Sequence, residues 1–339
     1  MDDSQTAAAY NLPVLLAGAA ACAGGGVQTA RSLVDARRRV VRRRRAIADG
    51  REAFRTRVQA VAAEARARAG SQLAWQGLRE LRVSAIEDEC RGVKSFYLAS
   101  ADGRPLPPYH PGQFLTVHLP GPPGGKPVVR CYTLSDRPRE EYYRISVKHC
   151  PPPASEPGAP PGVGSTILHR AVKVGDRLRA AAPRGDFFLR PEGEGPVVLI
   201  GAGIGVTPLL SMLAAQAHAG LVRETYLVLG MRSGGEHPFD RATARLAAEQ
   251  PSVRRLVAYS RPAAGDLLGQ DYEHRGRLDI DYLRQALPTR DASFFLCGPP
   301  GLMESLVPGL LAWGVPDNQI HFEAFGPASV NQGGAAAAA

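Results

Sequence analysis

The sequence predicts a two-domain protein of α+β and α/β class, an antiparallel β-barrel followed by a doubly wound parallel α/β domain. Three observations carry this expectation. Short alternating apolar runs separated by Gly and Pro clusters fill the stretch from Trp75 to about residue 192. Strand-like and helix-like segments alternate from Pro196 onward. A glycine-rich turn, Gly201–Gly205, falls where the first of those strands gives way to a helix. Turn-punctuated short strands indicate a small barrel, and strand–helix alternation indicates a parallel sheet covered on both faces.

The barrel strands are read at Leu81–Ile86, Ser95–Leu98, Phe114–Leu119 and Tyr143–Val147. Pro105–Gly112 and Pro120–Gly125 punctuate them, and the Pro-rich stretch Pro151–Pro161 is a loop on composition. In the second half, Val197-Val198-Leu199-Ile200 is a continuous apolar run, as a strand buried on both faces requires. The apolar helix Pro208–His218 follows, then strands at Tyr226–Leu229, Arg255–Tyr259 and Phe294–Cys297.

The 339-residue chain exceeds one domain and carries a formal net charge of +9. Residues 31–68 hold 13 Arg against four acids, Asp35, Asp49, Glu52 and Glu64, so the excess is local and the remainder is near neutral. That distribution argues against a nucleic-acid-binding body. The five cysteines, Cys22, Cys90, Cys131, Cys150 and Cys297, show no C-x-x-C pairing, which excludes a zinc ribbon and a ferredoxin-type cluster. No metal site is expected.

From Gln5 to Ala30 no charged residue occurs, and Arg37–Arg39 and Arg42–Arg45 follow. The stretch reads either as a single N-terminal anchor with the rest on the cytoplasmic face, or as a disordered or soluble helical terminus. Residues 31–70 favour helix, with Leu33, Val40, Ile47, Phe54 and Val61 seven apart. Arg37, Arg44 and Arg51 occupy the companion positions, so a coiled-coil seam is missing. The organisation expected is 1–30 anchor or soluble terminus, 31–72 Arg-rich helical linker, 73–192 barrel domain, 193–328 α/β domain and 329–339 disordered tail.

The Gly201-x-Gly203-x-Gly205 turn brings backbone N–H groups and a helix N-terminus to one place, which suits a pyrophosphate. It lacks the Lys-Ser/Thr of a Walker loop, and Val206 stands where the usual dinucleotide fingerprint has its third glycine. No acid ends the second strand near Leu229–Arg232. By itself the turn leaves open a second reading, a glycine bend of any α/β sheet.

Three further phrases change its weight. Arg130-Cys131-Tyr132-Thr133-Leu134-Ser135 precedes it, Thr207-Pro208 extends it, and Cys297-Gly298-Pro299-Pro300 follows. This order resembles the ferredoxin–NADP reductase superfamily, most of all the reductase modules of flavohaemoglobins and oxygenase reductases, from about Trp75 to Pro327.

The resemblance implies an FAD-binding barrel and an NAD(P)-binding α/β domain, with FAD and NADPH or NADH as cofactors. It assigns Arg130 to the flavin pyrophosphate, Tyr132 to the isoalloxazine and ribityl region, and Thr133 to flavin N5, with Ser135 closing the motif. Val147 and Lys148 fall near the adenine half. Gly162, Gly164 and Ser165 fall at a pyrophosphate-holding helix start, where Thr166 replaces the usual Asn. On the nucleotide side it assigns Gly201, Gly203, Gly205, Thr207, Pro208, Cys297, Gly298 and Pro299. Glu323 and Phe325 lie near the flavin face. Ser260, Arg261 and Tyr272 match members that bind a 2′-phosphate, although Gln270 replaces the accompanying lysine. Thr133, Cys297 and Glu323 are the catalytic assignments.

The activity implied is hydride transfer from NAD(P)H to flavin, then electron delivery to a separate acceptor, either an iron–sulfur or haem protein or a small molecule. The alternatives are a reductase component of a multicomponent oxygenase or nitric oxide dioxygenase-type haem system, and a flavin-binding redox sensor that does not turn over.

Overall fold

The computed structural model describes residues 75–121, 126–152, 156–190 and 195–325. The anchor, linker and tail expected at 1–30, 31–72 and 329–339 lie outside the described residues. No helix among the described residues is long and apolar enough to cross a membrane.

The first lobe contains β1 (Arg79–Cys90), β2 (Val93–Ser100), β3 (Phe114–Leu119), β4 (Val128–Thr133), β5 (Tyr142–Lys148), α1 (Val163–Arg170) and β6 (Arg177–Ala180). The strands run in the order β4-β3-β6-β1-β2-β5, and every neighbouring pair is antiparallel. The two outer strands meet where Leu134 bridges Ile145 and the Ser135 N–H donates to Arg144 O at 2.8 Å. That contact closes the barrel and removes its open edges. Register shifts after Val83 and Asp88 let the twelve-residue β1 curl from β6 onto β2.

Alternation fills the barrel. Leu81, Val83, Phe96, Leu98, Leu115, Val117, Tyr143 and Ile145 point inward and are buried, each large side chain contributing about 1.5–3 kcal/mol of transfer free energy. The apolar alternation does not reach β4, whose six residues are mostly half-buried or exposed. Leu168 of α1 joins the same core, which seats that helix across the barrel.

The second lobe contains β7 (Val197–Ala202), α2 (Val206–His218), β8 (Thr225–Met231), α3 (Asp240–Glu249), β9 (Val253–Tyr259), β10 (His274–Arg275), α4 (Ile280–Ala286), β11 (Ser293–Gly298), α5 (Pro300–Trp313) and β12 (Ile320–Ala324). Its parallel sheet is ordered β10-β9-β8-β7-β11-β12. Val198 and Ile200 of β7 pack with Leu283, Leu302 and Leu306 on one face. Val197 and Leu199 pack with Leu209, Met212 and Leu213 on the other. Helices therefore cover both faces, as expected of a doubly wound sheet.

The chain leaves β7 toward β8 and reaches β11 on the opposite side. β7 and β11 are thus neighbours whose connections depart in opposite directions, the place where such sheets bind ligands. In this sheet that place is the crevice position at their carboxyl ends, marked by Gly201 and Cys297, which are register partners.

Candidate functional site

The barrel contributes an anion cradle. α1 begins after Gly162 with no side-chain cap and no acid in its first turn, so its first N–H groups and dipole favour a negative charge. Gly164 faces Arg130 and Tyr132 so closely that an added Cβ would stand 2.9 Å from Arg130 Cγ and 3.1 Å from the Tyr132 hydroxyl. Arg130 donates to Val129 O at 2.8 Å, and among the described residues it has no carboxylate partner. An unpaired guanidinium beside an uncapped helix start is suited to a diphosphate.

The expected residues divide around this cradle. Thr133 ends β4 buried, and among the described residues its hydroxyl has no hydrogen-bond partner. Ser165 is occupied: its hydroxyl donates to Gly162 O at 2.9 Å and accepts from Cys150 N at 3.1 Å. It braces the helix start rather than offering a hydroxyl outward. Lys148 is exposed at the end of β5, whereas Val147 lies in the barrel core and its carbonyl accepts from His169 Nε2 at 2.8 Å. Burial pushes the His169 pKa down.

Ser135 is placed differently from its assignment as a cofactor ligand. It is 0 % exposed, lies 2.7 Å from the Ser146 hydroxyl and donates to Arg144 O at 3.2 Å. Its partners Arg144 and Ser146 alternate along β5 with the core residues Tyr143, Ile145 and Val147, so Ser135 is buried on the outer face of the strand, with its hydroxyl already engaged.

The second lobe contributes the crevice. Gly203–Gly205 forms one turn of 3-10 helix, and Gly203 adopts a left-handed φ of +55° that favours glycine. At Gly205 a Cβ would run into the Cys297 carbonyl and come within 2.7 Å of Gly298 N. Gly205 therefore seals β7 against β11, while Val206, in place of a third glycine, is fully buried. Thr207 is buried and donates to Ile204 O at 3.0 Å, tying the turn to α2. Pro208 occupies the first turn of α2, where its missing N–H costs nothing.

Cys297 is fully buried, and burial, with Glu323 nearby, pushes its thiol well above the usual range. It is an apolar wall of the crevice, not a thiolate. Its register partner on β12 is Glu323, whose Oε2 is buried with no hydrogen-bond partner among the described residues. Burial raises the Glu323 carboxyl from 4.5 to about 7. Phe325 is held by its N–H on Gly298 O at 2.8 Å, and Pro299 caps α5.

A stability experiment follows from the Glu323 shift. Its folded pKa exceeds the unfolded value, so the stabilising protonation is fully present below 4.5 and lost as pH rises through about 7. The loss amounts to about 3 kcal/mol. Glu323→Gln is expected to remove this component, so that the stability gap between variant and parent widens from pH 4.5 to 7 and then stays constant. Urea denaturation at several pH values measures it, and a pH-independent gap would contradict the burial of this charge.

Ser260 and Arg261 lie exposed beyond β9, their N–H groups bonded to Met231 O and Arg232 O. Tyr272 departs from expectation. It is 5 % exposed and stacks on Tyr259 with centroids 4.8 Å apart, so its ring is part of the core and not a platform for a nucleotide. Motif spacing placed it near Arg261 but carried no information on which way the ring turns.

How the lobes join carries no local pattern. Ser211 of α2 donates to Asp136 O at 2.5 Å, the Arg91 N–H donates to Gly235 O at 3.2 Å, and the Arg144 guanidinium lies 5.1 Å from the Phe239 ring centroid. Arg144 sits in an alternating strand, and only its interruption of buried neighbours hints at a role.

Comparison with known proteins adds relatives to this geometry. The oxidoreductase NAD-binding domain family matches residues 199–307. A flavohemoprotein of Halalkalibacterium halodurans is 38% identical over 254 residues, covering 75% of this chain and 61% of that protein. The chain thus spans about three fifths of the length of the curated relatives it matches. Among solved structures, the flavohem-like FAD/NAD binding domain of nitric oxide dioxygenase from Vibrio cholerae matches with a TM-score of 0.65 and 37% identity, covering 74% of this chain and 99% of that one. An Amycolatopsis cytochrome P450 reductase matches with a TM-score of 0.60 and 26% identity, covering 74% and 71%.

Proposed function

We propose, from the premise that this chain belongs to the ferredoxin–NADP reductase superfamily and is an FAD-dependent NAD(P)H oxidoreductase module, that its electrons pass to a haem protein. The observation that carries the reading is the direct bond between the two halves of the site. Ser211, on the helix that leaves the glycine turn, holds Asp136, three residues beyond Thr133. The support for haem is that the matched relatives are named flavohemoproteins and a cytochrome P450 reductase.

The residues present fit both cofactors. The cradle that a Cβ at Gly164 would fill, with Arg130 uncompensated beside it, suits the FAD diphosphate. The switch-point crevice suits the nicotinamide nucleotide. Bound there, FAD supplies the capacity to accept a hydride and to release its electrons singly or as a pair. The chain's own residues position and insulate. Arg130 and the α1 N-terminus hold the diphosphate, Tyr132 shields the adjoining surface, and Thr133 offers its hydroxyl. Cys297 and the Gly205 seal exclude water from the crevice floor. Glu323, poised near neutral pH, holds or yields a proton at its carboxyl.

Anaerobic titration tests this function. Adding NADPH or NADH to the flavin-loaded protein is expected to bleach the flavin band, and ferric globin added next is expected to become ferrous as the band returns. Flavin that neither nucleotide bleaches would defeat the reductase reading. Flavin that reduces but leaves the globin ferric would defeat the haem acceptor alone.

A further inference from the structure

Among the described residues, Phe239 alone combines a side chain with a positive φ, at φ 62° and ψ 22°. A bulky residue in this region is strained, and such strain persists only where surrounding contacts impose it. The contacts are visible. The Phe239 ring is 4 % exposed, lies at the start of α3 in the nucleotide lobe, and receives the Arg144 guanidinium of the barrel over its face at 5.1 Å.

Arg144 is fixed before it crosses. Its Nε donates to the Ser135 hydroxyl at 3.2 Å, and its Nη2 donates to Ser135 O. Ser135 is braced in turn by a buried hydroxyl chain, with Ser135 and Ser146 2.7 Å apart, Ser146 and Ser95 2.7 Å apart, and Ser95 donating to Glu89 at 2.5 Å. The next carbonyl, Asp136 O, accepts from Tyr109 at 2.6 Å within the barrel and from Ser211 at 2.5 Å across the seam. The guanidinium thus bonds the end of the flavin motif and lies over the ring of a residue whose backbone is strained in the other lobe.

We infer that Arg144 and Phe239 form a latch between the lobes that sets how the nicotinamide crevice meets the flavin motif. Both are positioning residues, acting through Thr133 on one side and through α2 and the glycine turn on the other. The inference rests on the reductase reading above. Its physical basis is the sensitivity of hydride transfer to placement, where a displacement of about 1 Å can cost about a hundredfold in rate. A cation over an aromatic face is directional enough to hold that placement in a desolvated seam.

The test separates the ring's charge-accepting face from its bulk. Phe239→Tyr keeps the face, and Phe239→Leu keeps an apolar side chain without it. With flavin-loaded protein, Phe239→Leu and Arg144→Gln are expected to slow flavin reduction at saturating NAD(P)H by about tenfold or more. Calorimetric affinity for NADP⁺ and NAD⁺ is expected to stay within about twofold, because the bulk of that site lies on the α/β lobe. Phe239→Tyr is expected to reduce at the parent rate. Hydrogen–deuterium exchange supplies a readout independent of turnover: amides of residues 234–243 exchange faster in Phe239→Leu, while those of β7 do not. Equal reduction rates and equal exchange in Phe239→Leu and Phe239→Tyr would overturn the latch, even if Arg144→Gln fails to fold. A parent protein that NAD(P)H cannot reduce would instead overturn the reductase reading.

Discussion

Arg130→Ala is expected to yield folded protein that emerges from purification colourless. The side chain's recorded bond is to its neighbour's carbonyl, Val129 O at 2.8 Å, and among the described residues no carboxylate depends on it. Removing it therefore strands no buried charge and costs little stability. The diphosphate of FAD, in contrast, loses its fork-shaped partner. Each charge-assisted bond contributes about 1.5–3 kcal/mol, so losing two weakens binding by roughly 10²-fold to 10⁴-fold. Arg130→Lys keeps the charge but not the fork and is expected to fall between the two. Flavin-to-protein absorbance after gel filtration, with calorimetric FAD titration of the stripped protein, reads the effect. A variant as yellow as the parent would remove Arg130 from the cradle.

Gly205→Ala is expected to act on the other lobe and to spare the flavin. Its new methyl meets main-chain atoms, the Cys297 carbonyl and Gly298 N, not the flexible end of a side chain. Both atoms belong to β11 near the middle of the sheet, so relief requires β7 and β11 to part at the Gly201–Cys297 pair. Overpacking of a well-packed site costs about 1–3 kcal/mol, and an unyielding backbone puts this variant at the upper end. A domain pair of this size then loses about 6–12 °C of melting temperature. Reduction by NAD(P)H is expected to fall much further than flavin content, because the crevice rather than the cradle is distorted. Gly203→Ala is the contrast. There a Cβ meets nothing within 4 Å and only the φ of +55° opposes it, at about 1–2 kcal/mol. Differential scanning fluorimetry and stopped-flow reduction distinguish the pair, and equal melting of the two variants would speak against the seal.

The parallel sheet was legible because burial on both faces leaves an unmistakable trace. Val197–Ile200 could only be an interior strand, and a glycine turn directly after it marked the crevice. β3 was legible through simple alternation. β4 was legible as a motif but not as a strand, because Arg130, Cys131 and Tyr132 stand where alternation asks for apolar residues. Ser135 and Tyr272 show the limit of reading roles from spacing. A motif locates a residue along the chain, whereas burial depends on partners far away, Ser146 for one and Tyr259 for the other. Arg144 and Phe239 were invisible for the same reason. They stand 95 positions apart, and neither one's local pattern names the other.

The strand bearing Glu323 is the last in its sheet and, among the described residues, is hydrogen-bonded along one margin only, whereas its neighbour β11 and the next strand, β7, are bonded along both. Parting the sheet at the crevice floor therefore breaks ladders on two sides, whereas displacing its last strand breaks one.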